Sequence, residues 1–167
     1  MGLLSKAIIK AQMTSPNFTH VYAALIAVIN TKLPEIGSLI ATRAMIMYKR
    51  SFSRNNRIVC IAAAKMIAHL INQKVLGEYA GLQIIMILLM NVSQDSVEIA
   101  CDFMTEVGQV LSEVSPASVS VIFERFKNLL HEGEIEQKSQ YSIEKLFAVR
   151  KTGFKNHQGV IAELDLV

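Results

Sequence analysis

The chain has 167 residues, enough for one domain of ordinary size with a core that needs neither disulfide nor metal to hold it. With 8 Gly and 3 Pro it has too little turn chemistry for a many-stranded sandwich or barrel, and 51% hydrophobic residues against 19% charge exclude a disordered chain. Its 17 Lys and Arg against 14 Asp and Glu leave +3, too small a net field to grip nucleic acid, so any basic function has to be local.

In chain order, the opening stretch carries Lys6 and Lys10 through what would be the apolar part of a signal peptide, and it lacks a myristoylation pattern. Ser15-Pro16 and Ser115-Pro116 read as helix starts, with the serine capping and the proline taking the first turn. Leu33-Pro34 closes one apolar pattern and opens another, Ile36, Leu39, Ile40, Ala44 and Met47. The periodicity predicts helices over about 3–12, 16–31, 34–49, 55–73, 76–90, 94–112, 116–131 and 135–153. Cys60 and Cys101 fall inside apolar helical patterns and read as reduced core thiols. The longest apolar run, Ile84 to Met90, is far shorter than the roughly 20 residues that span a bilayer, so it reads as a buried helix. With no signal or transmembrane segment in view, the sequence reads as intracellular.

Connections of a few residues force neighbouring helices antiparallel, and two helices per roughly 40 residues is the spacing of HEAT-type repeats. The expectation is therefore an all-α, HEAT-like stack of antiparallel helical hairpins, about eight helices in one domain over 1–167. No internal sequence repeat accompanies it, and a simple helical bundle is the other arrangement such spacing allows.

The sequence offers no catalytic residue, no metal ligand set and no cofactor motif. Its glycines are scattered rather than clustered before a helix, which removes a phosphate-cradling loop. His131-Glu132-Gly133-Glu134 fails as a zinc-protease motif because Ile135 stands where the second histidine belongs, and it reads as a polar helix end. His20, His69 and His157 lie on separate elements, and His69 reads as an inter-helix hydrogen bonder in the polar row Lys65, His69, Asn72, Gln73.

Three surface candidates remain. The stretch 48–57 places Lys49, Arg50, Arg54 and Arg57 beside Tyr48 and Phe52, the mixture single-stranded RNA binders use; the plainer reading has Lys49 and Arg50 complementing a helix C-terminus while Phe52 packs on the core. Asp95, Glu98, Asp102 and Glu106 form an acidic stripe that reads as a solvated outer face, with a cationic partner as the other reading. On the last helix the apolar row is Ile143, Leu146, Phe147, Arg150 and Phe154, while Lys138, Tyr141, Lys145 and Ala148 fall on another side. Tyr141 there is either a lone surface aromatic or an interface anchor.

The segments Asn17 to Leu25, Ala68 to Gln73, Ile122 to Arg125 and Leu146 to Lys151 resemble the nucampholin branch of the family named after the middle domain of eukaryotic initiation factor 4G. The resemblance runs from about Gly2 to Val167 and implies a non-enzymatic HEAT-like adaptor in pre-mRNA splicing. Its implied partner is the DEAD-box ATPase of the exon junction complex, an initiation factor 4A-like enzyme held with its two lobes apart and delivered to the spliceosome. Other spliceosome proteins are further implied partners, RNA is a candidate one and a membrane is not. The implied location is the nucleus, in spliceosomes and speckles. For the ATPase's N-terminal lobe the best match is the turn and helix from Glu134 to Tyr141, which adds Glu134 to Lys138, Tyr141 and Lys145 as partner-binding residues. The resemblance also implies a fragment whose domain is truncated at its N-terminus. Opening helices that contact the other lobe are missing, and apolar surface is expected to be exposed on helix 3–12 or 16–31.

Overall fold

A computed structural model describes residues 2–167. Among the described residues there are eight α-helices, two short 3-10 turns and no strand, so the fold class is all-α and HEAT-like as the sequence predicts. The helices are α1 (Gly2–Thr14), α2 (Thr19–Lys32), α3 (Pro34–Ser53), α4 (Arg57–Asn72), α5 (Glu78–Met90), α6 (Gln94–Val114), α7 (Pro116–Glu132) and α8 (Gln137–Lys151). The chain divides into two compact units, one of residues 1–77 with 160–167, the other of 78–159.

In the first unit α4 is the central element. It buries Ala62, Ala63, Ala64, Met66, Ile67, Ala68, Leu70 and Ile71, an apolar circumference that lets α1, α2 and α3 all pack on it. Buried Gln12 ties three helices together, its amide donating to the Thr19 hydroxyl at 3.1 Å and to the Ala62 carbonyl at 3.0 Å. The α2–α3 hairpin closes tightly at Leu33-Pro34, and Gly37 is required there: a Cβ would lie 2.1 Å from the Asn30 side-chain oxygen. The segment after residue 159 returns to this unit, where the Gln73 amide donates to the Leu164 carbonyl at 3.3 Å.

In the second unit the central helix is α6, whose buried row includes Val97, Cys101, Met104, Val107 and Leu111. Rings fill the space around it: Phe103, Phe123, Phe126 and Phe154 are all buried. Gly108 admits Phe154, since a Cβ would sit 2.2 Å from the ring. Gly153 and Phe154 adopt positive φ and end α8.

Four expectations need correction. Ser15 and Ser115 make no capping bond to backbone, because ψ values of 69° and 68° turn the hydroxyl away from the first-turn amides, and Ser115 donates instead to the Ser118 hydroxyl at 2.8 Å. The side-chain caps are Asn56 on α4 and a Ser93–Ser96 capping box on α6, with Ser93 in extended backbone at ψ 169°. The run Ile84 to Met90 is not wholly buried: Ile84, Ile85, Leu88 and Leu89 face inward, while Met86, Ile87 and Met90 are exposed. Pro16–Phe18 forms a 3-10 turn rather than the start of α2. The fourth concerns the acidic stripe and belongs to the site.

Candidate functional site

The outer face of α8 is set by what the helix must bury. Ser139, Ile143 and Leu146 pack inward against α6, and the 3.6-residue period then leaves Lys138, Tyr141 and Lys145 outward. Tyr141 is 67% exposed, so most of its ring is open to a partner. Lys138 is also exposed, but its ammonium lies 3.2 Å from the Glu98 carboxylate on α6, so it is held rather than loose. Glu134 and Lys145 are exposed on the α7–α8 turn and on α8.

That ion pair overturns the reading of Asp95, Glu98, Asp102 and Glu106 as one solvated face. Glu98 is only 9% exposed and receives the Gln94 amide at 3.5 Å as well as Lys138. The physical reason is that α6 is covered on several sides, so one member of its acidic row lies under α8 and acts as the anchor for Lys138.

The second candidate surrounds the α3–α4 turn. Lys49, Arg50, Arg54 and Arg57 are all exposed, so the four cations do reach solvent. The aromatics beside them do not form a stacking platform. Tyr48 is 2% exposed and Phe52 is half-buried against it, ring centroids 6.0 Å apart. Burial, followed by nearby Cys60, pushes the Tyr48 phenol far above its ordinary range, as expected of a ring placed for packing.

Reading net charge over the whole chain missed a segregation that the two units make visible. Residues 1–77 with 160–167 hold ten of the 17 Lys and Arg and three of the 14 Asp and Glu, whereas 78–159 holds seven and eleven. The units therefore carry +7 and −4, and no acidic residue occurs between Ile36 and Gly77. Counting charge in windows rather than in sum would have exposed this from sequence.

Neither thiol offers a nucleophile. Cys60 and Cys101 are free and buried, and burial, reinforced by Asp102 and Glu98, pushes the Cys101 thiol up to about 12. His69 is buried with its ring 6.2 Å from that of His20. Among the described residues no group of three or more His, Cys, Asp or Glu could hold a metal ion, and no helix is long and apolar enough to cross a membrane.

Compared with known proteins, residues 2–152 match the profile of the MIF4G domain. The chain is 49% identical over 166 residues to the "Pre-mRNA-splicing factor CWC22 homolog" of Drosophila melanogaster, covering 99% of this chain and 12% of that protein. To the protein of the same name in Homo sapiens it is 49% identical over 99% of this chain and 18% of that one. The "Male determiner protein Mdmd(III)" of Musca domestica is 48% identical over 99% of the chain and 14% of the relative. The chain thus spans less than a fifth of the length of these relatives.

Proposed function

The chain belongs to the MIF4G domain family, and on that premise we propose that it is the adaptor domain of a nuclear pre-mRNA-splicing factor. Its work is non-enzymatic: it captures the DEAD-box ATPase of the exon junction complex, holds the two lobes apart, and delivers the enzyme to the spliceosome. Similarity along 99% of the chain to proteins named as splicing factors supports the setting. The observation that carries the partner reading is the outward Tyr141 beside Lys138, whose ammonium Glu98 holds in place. A rigid aromatic and a positioned cation make a hot spot at small entropic cost. A partner that binds the open ATPase more tightly than the closed one shifts the population toward open without any chemistry of its own. The test is a pull-down with the purified ATPase, comparing this chain with its Tyr141→Ala variant and with a chain extended at its N-terminus. Capture by neither unmutated chain sinks the reading, as does ATP turnover by this chain alone.

A second reading is carried by the acid-free stretch between Ile36 and Gly77. There the exposed Lys49, Arg50, Arg54 and Arg57 form a contact for RNA phosphates. A salt titration separates the two, because phosphate contacts make log K fall steeply with log salt. Absence of affinity for oligouridylate at low salt removes this reading.

A further inference from the structure

A groove of about 530 Å³ runs along the C-terminal half of α8, lined by Glu144, Phe147, Ala148, Arg150 and Lys151. Phe147 is half-buried and packs on Phe123, ring centroids 5.6 Å apart, so the floor is apolar and fixed. The Arg150 guanidinium stands 4.2 Å from the centroid of the Phe123 ring. Stacking uses one face of the guanidinium and leaves its N–H edges to bond a planar oxyanion. Among the described residues no carboxylate pairs with Arg150 or Lys151, both of which are exposed. The groove therefore joins an apolar floor to two cations without a carboxylate partner at one end, with a single carboxylate, Glu144, at the other.

We propose that this groove holds an acidic protein segment carrying a bulky apolar side chain. The apolar group lies on Phe147 and Ala148, and its flanking carboxylates pair with Arg150 and Lys151. Charge complementarity selects the occupant. The complementarity is local: Arg150 and Lys151 stand together at one end, while Glu144 and the net acidic charge of residues 78–159 disfavour any occupant whose negative charge extends beyond that end, so one or two carboxylates beside an apolar group fit where RNA does not. The groove also adjoins the face proposed for partner binding, because Tyr141 and Ala148 are seven residues apart and share a helix side. The inference names the chemistry of a bound segment and does not require the partner to be an ATPase.

The test is fluorescence polarisation of the full chain with a labelled peptide in which a Leu-Phe pair is followed by two Asp residues and flanked by Gly and Ser. Saturable binding is expected. Ala148→Trp, which fills the groove from an exposed position, should abolish it, and Arg150→Gln should weaken it by roughly tenfold through loss of charge-assisted bonds. Peptide binding is read with no ATPase present, so failure of the ATPase reading and failure of this one are told apart. Lys151→Glu, wholly on the surface, replaces Arg150→Gln if the latter lowers the melting temperature. No saturation at millimolar peptide overturns the proposal, as does unchanged affinity in Ala148→Trp. Equal binding of an all-acidic peptide without Leu-Phe, of a phosphoserine peptide or of oligouridylate also overturns it.

Discussion

The first unit packs its central helix through alanines, Ala62, Ala63, Ala64 and Ala68, mixed with the aliphatic chains of Met66, Ile67, Leu70 and Ile71, while the second surrounds α6 with Phe103, Phe123, Phe126 and Phe154. Alanines and aliphatic chains share the burial among many groups of moderate size, whereas a ring-filled core concentrates it in a few large ones. The surfaces differ in the same way. The first unit spreads cations over an acid-free stretch, and the second is net acidic but places a few cations beside rings, as Arg150 on Phe123. One unit offers a diffuse field and the other discrete contacts, which is why the two functional readings fall on different units.

The sharpest way to break this comparison is to remove a ring. Phe126 is fully buried, and Phe126→Ala should cost about 3–5 kcal/mol, against about 0.5–1.5 for Ile67→Val in α4. Chemical denaturation measures both, and amide exchange should show protection lost across 78–159 first. A loss well under about 3 kcal/mol in Phe126→Ala would mean that the second core does not rest on its rings.

High pH should produce a smaller, graded loss. Burial raises the Cys101 thiol from 9.0 to about 12 and moves the Tyr48 phenol upward too. Between these limits the folded state holds a proton that the unfolded state has released. The stabilising contribution is therefore whole below about pH 9 and is lost as pH climbs toward 12. Melting temperature against pH should be flat near neutrality and fall above 9, and Cys101→Ala should flatten the fall in part.

On the acidic unit's discrete face, Tyr141→Ala should weaken ATPase capture by roughly 1–3 kcal/mol while the melting temperature holds. Unfolding with no separable binding defect would return Tyr141 to the core. On the basic unit, Arg54→Glu should lower oligouridylate affinity and reduce the salt slope by about one contact.

Much of this architecture is legible in the sequence because helix starts and stops are local. Leu33-Pro34 falls where α2 gives way to α3, and the apolar rows of α3 and α6 face inward as their period requires. What is not legible depends on which helix covers which. The stripe on α6 shows four acids with equal claims to solvent, and only the placement of α8 buries Glu98 and gives Lys138 its partner. Tyr48 and Phe52 look like stacking aromatics in sequence, yet α3 turns Tyr48 into the core. Arg150 sits in the apolar row of α8 without being buried, because the Phe123 ring across from it accepts a cation as readily as a methyl group. Phe154 is buried as its place in the apolar row predicts, although it lies beyond the end of α8, and what the period does not encode is that Gly108 on α6 makes room for the ring.

The smallest effects separate two kinds of helix start that look alike in sequence. Ser15 and Ser115 each precede a proline and invite a capping assignment, but neither bonds an amide, and Ser115 meets only the Ser118 hydroxyl. Proline at the first turn removes one orphan donor by itself and fixes φ, so the hydroxyl has less left to do. Ser93 has no proline after it. Its hydroxyl accepts from the Ser96 amide at 3.1 Å while the Ser96 hydroxyl accepts from the Ser93 amide at 2.8 Å, so two donors are satisfied together. Ser93→Ala should thus cost about 1 kcal/mol, and Ser15→Ala and Ser115→Ala no more than a few tenths, in either unit alike. Denaturant midpoints resolve the difference at constant m-value. A loss of 1 kcal/mol in Ser115→Ala would mean that its hydroxyl reaches a first-turn amide in solution, and the proline would then not suffice to start α7.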